Sequence, residues 1–553
     1  MWEFIQQQYS MLREQYGAMS DAMAPVRHSK SELVFFLRKI VHGLLFSLLD
    51  PSSKSRYAVS AVLVFIIVFV VDQIRARMLS LRRLGLPVVS PSKGVHQFDY
   101  KAILAEGARR YPNSPYLITY SGFEYVVFPA SSWDEVKRIP PTKASALAYF
   151  THVFFGGWKL LGSDMSAVHK SIGVDLTRAI PIRVHAHQES ARAACDSVLG
   201  RYSEWKSYPM YFTLQAIIAA TNATGLVGPV LGNDRRWVRA VQIFPMVIVF
   251  AIYTSSLPPR LFRPLVTLFV FLPAWATYWY MRNILRPVVQ QDMHEYELAA
   301  GNDEKRELMR AKPDSKFPMT AWMLSRYTPE ERTAQQVAHD FIVASFESTP
   351  STSSAFYFIM AELVARPEVV QELRNELESF MVDGHLPQTQ LDELQKLDSF
   401  MRECSRCNPH GYMALFRRLR EPVKLSNCPE LPIGAVICVD VHDVPWSEQL
   451  WEKPKEFDPW RFLKLRQLPG REQRHQYTSL GSESPSWGDG SQACPGRVFA
   501  SSTLKVTLAH LIMNFDFKLP DDGSKPERNS MPNGSARPDM WVRIMFRERK
   551  KRQ

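Results

Sequence analysis

Cysteine is scarce in this chain. Cys195, Cys404, Cys407, Cys428, Cys438 and Cys494 are the only six among 553 residues. So thin a scatter excludes a disulfide-stapled scaffold and fits a reducing compartment. Cys404 and Cys407 form a CxxC, but no second pair at ligand spacing follows, which weakens a zinc or redox-dithiol reading. Acidic residues are also short: 55 against 67 Lys and Arg, a net charge of +12. The basic residues are dispersed and make no Arg-and-aromatic module, which argues against a nucleic-acid partner. The excess suits an anionic membrane surface or an acidic protein. There is no internal repeat and no long low-complexity linker. Hydrophobic residues make up 46% and charged residues 22%, the balance of a globular chain with a large core.

Uninterrupted apolar runs are few. Residues 57–71 read YAVSAVLVFIIVFVV. With three more residues they reach about bilayer length, so 57–74 is expected to be a transmembrane anchor, with a buried core helix as the alternative. A long polar stretch precedes it and no small-residue cleavage site follows, so it is not a cleaved signal. The 1–56 segment is polar or amphipathic. Within it, 33–49 carries Arg38 and Lys39 mid-run and fits an interfacial helix rather than a second span. Residues 75–91 form a basic, proline-rich hinge with Pro87 and Pro91. Residues 92–546 read as one large, mainly α domain, and 547–553 as a basic tail. A second apolar region, 241–280, is interrupted by Pro258, Pro259, Pro264 and Pro273. It is expected to dip into the bilayer, rimmed by Arg260 and Arg263, rather than to cross it.

One short stretch is unusual. Residues 487–499, WGDGSQACPGRVF, crowd glycines around Cys494. Gly488 and Gly490 permit backbone conformations other residues avoid, and Gly496 does the same after the cysteine. Pro495 opens an apolar helical pattern, so Cys494 precedes a helix N-terminus, a place that favours thiolate. On the residues alone two roles fit: an inert buried thiol, or an axial metal ligand tuned by backbone N–H groups.

The stretch resembles the haem-binding signature of cytochrome P-450 monooxygenases, an aromatic, Gly, Cys and Gly at fixed spacing, here Trp487, Gly490, Cys494 and Gly496. Trp487 stands where the family usually has Phe. Gln492 stands where it usually has a basic residue facing a haem propionate. Further stretches match in order. Glu403 and Arg406 form the family's ExxR, on one helical face at i and i+3, and Arg461 in FDPWRF completes its ion-paired triad. On that reading Cys404 and Cys407 are passengers. Thr328, Pro329 and Glu331 form a capping box expected to open a long helix ending near Ala365. Within it Ala344, Ser345, Glu347 and Ser348 align with the family's oxygen-activation motif, so Glu347 with Ser348 or Thr349 is a proton-relay candidate. Pro350 opens the helix there. The alternative is that these hydroxyls merely bond back into their own helix. The helix carrying the family's propionate ligand has no clear match, and His169 and Lys170 in SAVHKSIGVDLTRAI are the candidates.

The resemblance implies a P-450 fold, mainly α with a small β subdomain, behind a single-pass anchor in the endoplasmic reticulum with the domain facing the cytosol. It implies haem b held by Cys494, NADPH electrons delivered through a flavoprotein reductase, and hydroxylation of an apolar substrate in one or more steps. Arg402, Lys453, Lys455, Arg497 and Lys505 are the expected basic face for the reductase. The 146–158 and 241–280 stretches and Met413–Leu415 are the expected pocket. CPGRVFA, VFPASSWDEVKRIP and the LPPRLFRPL to NILRPVV region are similar to fungal secondary-metabolism enzymes, in particular the group with ent-kaurene oxidase. That suggests a terpenoid or meroterpenoid intermediate. The rivals are a haem-thiolate desaturase, isomerase or ring-forming enzyme on a polyketide or indole-derived substrate, a lipid-binding protein without haem, and a zinc or dithiol protein. Sequons at Asn222 and Asn533 are expected to be unused on a cytosolic face.

Overall fold

The computed structural model describes residues 60, 64–71, 80–91, 99–120, 123–153, 166–256, 258, 262–298, 318–387, 391–521, 526, 529–530 and 536–550. The chain divides into two compact units at Ser80/Leu81. In the first, residues 64–71 of the expected anchor are helical and every side chain is exposed. The amphipathic helix expected at 33–49 lies outside the described residues.

The second unit starts at Leu81, so part of the expected hinge belongs to it. Val89 donates its amide to Leu117 O at 2.9 Å, tying the segment to the sheet. Its other end also moves. The last strand runs Arg543–Glu548, two residues into the expected tail, because Arg547 and Glu548 pair with Asp516 and Phe515.

The β part is small. Strands β1 (Tyr116–Tyr120), β2 (Phe123–Phe128), β3 (Ala144–Ser145), β5 (Met413–Leu419) and β6 (Val436–Asp440) make one sheet in the order β1-β2-β6-β5-β3. Only β2 and β6 run parallel within it. Strand β4 (Lys206–Pro209) joins β7 (Phe515–Lys518) and the terminal strand in a second sheet. Asn529–Ser530 and Ala536–Arg537 pair as a two-stranded sheet, and the rest of the described framework is mainly helical, built around the largely buried Ala334–Val364.

That long helix starts later than expected. The Thr328 capping box exists, but it closes only one 3₁₀ turn, Pro329–Glu331. Thr333 then returns to extended backbone and caps the real helix, accepting from Gln336 N at 3.2 Å.

The 241–280 region folds as helices Arg235–Ser256, Arg263–Val270 and the start of Leu272–Leu298. Phe244, Ile248, Ala251, Phe271, Ala274 and Tyr278 face the core, while Val249, Leu265, Phe269, Leu272 and Trp279 are exposed. Arg260 lies outside the described residues. Arg263 donates to Pro258 O at 3.2 Å. By length and composition Met210–Val227 and Arg235–Ser255 could cross a membrane, but the first is mostly buried.

Candidate functional site

Short turns at Pro485–Trp487 and Gly490–Gln492 fold the loop before helix Arg497–Asn514. Gly488 and Gly490 both sit at φ +67°, where only glycine is unstrained. At Gly490 a Cβ would also come 2.6 Å from Lys137 O. Cys494 N donates to Trp487 O at 2.8 Å, closing the loop. The Trp487 indole donates to Tyr477 O at 2.7 Å and meets that ring edge-on. Gly496 is the N-cap of the helix.

The Cys494 thiol is pushed up to about 11, contrary to the expected lowering. Burial is the main cause, and the Glu347 carboxylate adds to it, whereas hydrogen bonds from Gly496 N and Arg497 N pull the other way. The Arg497 charge also pulls down, yet together these do not offset desolvation of a thiolate; a metal cation at the sulfur would.

Gln492 does not face open space for an anion. Its amide donates to Ala144 O at 2.9 Å and accepts from Ala146 N at 2.8 Å. It staples β3 to the cysteine loop. Across β3, Ser145 pairs with Arg418, so the arginines of β5 lie one strand away. A bulge interrupts β5 between Ala414 and Arg417, and Leu415 takes φ +50°. Arg417 is 3% exposed, yet its Nε and Nη2 have no partner. Its Nη1 reaches only Phe416 O, at 2.8 Å. Burial alone holds it down to about 10, with no acid opposing. A buried guanidinium lacking an acid is a place for an anion. Sequence reasoning missed it. The available signal was the Arg417–Arg418 pair in the strand after ExxR.

Glu403, Arg406 and Arg461 come together. Glu403 is fully buried. Arg406 donates to it at 2.6 and 2.8 Å, Arg461 Nε at 3.2 Å to both oxygens, and Asp458 N at 3.0 Å. The remaining guanidinium donors hold carbonyls of the 445–456 segment, among them Pro445, Pro454, Glu452 and Glu456. The triad thus braces that segment from beneath. Cys404 and Cys407 lie buried on the same helix, and burial holds the Cys404 thiol well above its usual range.

On the long helix, Glu347 is exposed and Ser348 half-buried, whereas Ser345 and Thr349 are buried with unpartnered hydroxyls. Glu347 and Ser348 therefore share one accessible face and Thr349 turns inward. Ser348 Oγ donates to Ser345 O at 3.3 Å. His169 Nε2 lies 3.2 Å from Glu347 Oε2, so of the two propionate candidates His169 is engaged with the acid and Lys170 is exposed. A π-helical turn, Ser171–Leu176, follows them and packs on the cysteine loop, with Gly173 against Pro495.

Two members of the expected basic face are interior. Lys505 pairs with Asp398 at 2.8 Å, and Arg402 donates to Gln476 O at 2.6 Å. Lys453 and Lys455 are exposed, and Arg497 is half-buried.

The Cytochrome P450 family model matches residues 259–541. Cytochrome P450 monooxygenase ffsD of Aspergillus flavipes is 41% identical over 536 residues, 97% of this chain and 99% of that protein. Cytochrome P450 monooxygenase CYP1 of Pyricularia oryzae is 42% identical over 471 residues, 85% of this chain and 86% of that protein. Pyrichalasin C-18 hydroxylase of Pyricularia grisea is 37% identical over 527 residues, 95% of this chain and 96% of that protein. The chain belongs to the cytochrome P450 family, as a monooxygenase of the fungal secondary-metabolism type.

Proposed function

We propose that Cys494 would hold the iron of a haem b, in a site lined by the cysteine loop and by Glu347 and Ser348 of the long helix. The observation that carries this reading is the pairing of a half-buried cysteine, its sulfur already held by two backbone N–H groups, with the buried guanidinium of Arg417 that has no acid of its own. A haem would supply iron for the sulfur and a carboxylate for the arginine. When bound, the haem supplies the dioxygen-activating chemistry of the family.

The protein's own residues have defined work. The Gly496 and Arg497 amides tune the sulfur. Ser348 Oγ, on the accessible face, holds a proton near the reaction space, and Glu347 with His169 resupplies it. Thr349, turned inward, is not in the relay. Glu403, Arg406 and Arg461 hold the 445–456 segment that supports the site.

The substrate is an apolar secondary-metabolite intermediate hydroxylated at carbon. The name pyrichalasin C-18 hydroxylase favours a skeleton of that product's type over the terpenoid or meroterpenoid expected from sequence. Residues 57–74 anchor the enzyme by a single pass in the endoplasmic reticulum, with the domain facing the cytosol. The exposed apolar side chains of Arg235–Ser256 and Arg263–Val270 rest in the bilayer. Electrons from NADPH arrive through a flavoprotein reductase docking near Lys453 and Lys455.

The test is the reduced, carbon monoxide-bound spectrum of membranes carrying this chain beside a Cys494→His variant. A strongly red-shifted Soret band, lost in the variant, is the expected outcome. Well-folded protein without a haem band would refute the reading.

A further inference from the structure

We propose that Asn222 is a positioning residue for the Ser348 relay hydroxyl, held in register by Thr503 and His187. This rests on the relay reading above. Asn222 is 1% exposed, which rules out glycosylation of its sequon in the folded protein. Its Nδ2 donates to Ser348 O at 3.3 Å. Around Pro350 three successive carbonyls of the long helix receive a side-chain donor. Ser351 serves Glu347 O at 3.1 Å and Ser353 serves Thr349 O at 2.6 Å, both from within the helix. Among the described residues, Asn222 is the donor that comes from another helix. Pro350 has already removed one main-chain bond here, so the turn carrying Ser348 is the place where an outside clamp decides the backbone's course.

The amide's orientation is fixed from behind. Thr503 Oγ1 donates to Asn222 Oδ1 at 3.0 Å. A flipped amide would set Oδ1 against the Ser348 carbonyl, two acceptors face to face. Because the Thr503 hydroxyl has one proton and spends it on Asn222, it must accept from His187 Nε2, 3.2 Å away. His187 Nδ1 is then the acceptor for Ser502 Oγ at 3.2 Å. The imidazole is stacked on Phe499, and burial, then Arg183, holds it down to about 4, so it stays neutral as this chain of donors requires. Helices Met210–Val227 and Arg497–Asn514 come close enough because Gly225, one turn beyond Asn222, lies against the Phe499 ring; a Cβ there would sit 2.8 Å from it.

The experiment uses the full chain in membranes with a reductase. The substrate source is the apolar extract of a host strain lacking this gene. Asn222→Leu should exchange backbone amides in the 346–353 peptide about five-fold faster, the loss of one net hydrogen bond. It should also yield at least about three-fold less hydroxylated product per NADPH consumed, with carbon monoxide-binding haem retained. Thr503→Val should move both readouts the same way and Thr503→Ser should restore them. That pair decides the matter if the Asn222 variant does not fold. A purely structural Asn222 would lower thermal stability and speed the local exchange but leave product per NADPH unchanged, and that result overturns the proposal. Failure of the haem reading is distinguished by the wild-type spectrum, which would then lack its red-shifted band.

Discussion

Arg417→Met is expected to have opposite effects on the haem-free and haem-loaded enzyme. Arg417 is almost wholly inaccessible, makes a single hydrogen bond to Phe416 O and leaves Nε and Nη2 unpartnered. Its depression to about 10 by burial corresponds to about 3 kcal/mol of destabilisation at neutral pH. The folded state disfavours the proton, so the penalty is complete below about pH 10 and shrinks as pH rises through it. Methionine keeps the apolar stem and removes the charge. Urea unfolding of the haem-free chain should therefore show the variant about 1–3 kcal/mol more stable at pH 7, with the difference narrowing above pH 10. The loaded enzyme should respond the other way. A propionate left without its guanidinium costs about 3–5 kcal/mol, so haem should pass to an apo-globin acceptor at least a hundredfold faster. A haem-free variant less stable than wild type, or haem retention unchanged, would refute the assignment of an anion to Arg417.

Glu403→Gln leaves two buried guanidiniums facing a neutral amide, and unfolding in urea should show a loss of about 3–5 kcal/mol. Ser348→Ala should divert NADPH electrons to peroxide, measured against product formed. Thr349→Val should not, and by removing a buried unpartnered hydroxyl it should hold or raise the thermal midpoint. Asp292 is pushed up to about 8, mainly by burial, with Thr320 at 2.9 Å opposing and Glu295 adding. The folded state thus favours its protonated form, so wild-type stability should fall as pH rises from about 4 to about 8 and then level. Asp292→Asn should flatten that profile in pH-dependent unfolding.

What could be read from the sequence divides by how far apart the cooperating residues lie. Glu403 and Arg406 are legible because i and i+3 share a helical face whatever surrounds them. Gly488 and Gly490 are legible because their conformation is local. The Thr328 capping box was also read correctly as a cap, yet it misled about the helix, because the extended backbone at Thr333 that restarts the helix carries no local signal. Lys505 and Arg402 looked like surface charge because a charge count does not see Asp398 or Gln476 O. Gln492 looked like a propionate contact because its partners, Ala144 and Ala146, lie hundreds of residues away.

Arg417 and Asn222 mark the limit more sharply. Arg417 stands in no motif and Asn222 only in a sequon unrelated to its contacts, and each gets its meaning from a distortion elsewhere: the bulge at Leu415 for Arg417, and the Pro350 interruption for Asn222. In both cases hydrogen-bond accounting gives the signal. A buried donor with no acceptor implies a missing anion, and a buried amide spent on another helix's carbonyl implies a backbone that needs holding. Motif spacing locates the reacting sulfur, but satisfaction of buried polar groups tells which neighbours serve it. Only folded coordinates allow that accounting, since the donor and its acceptor are chosen by packing and not by proximity in the chain.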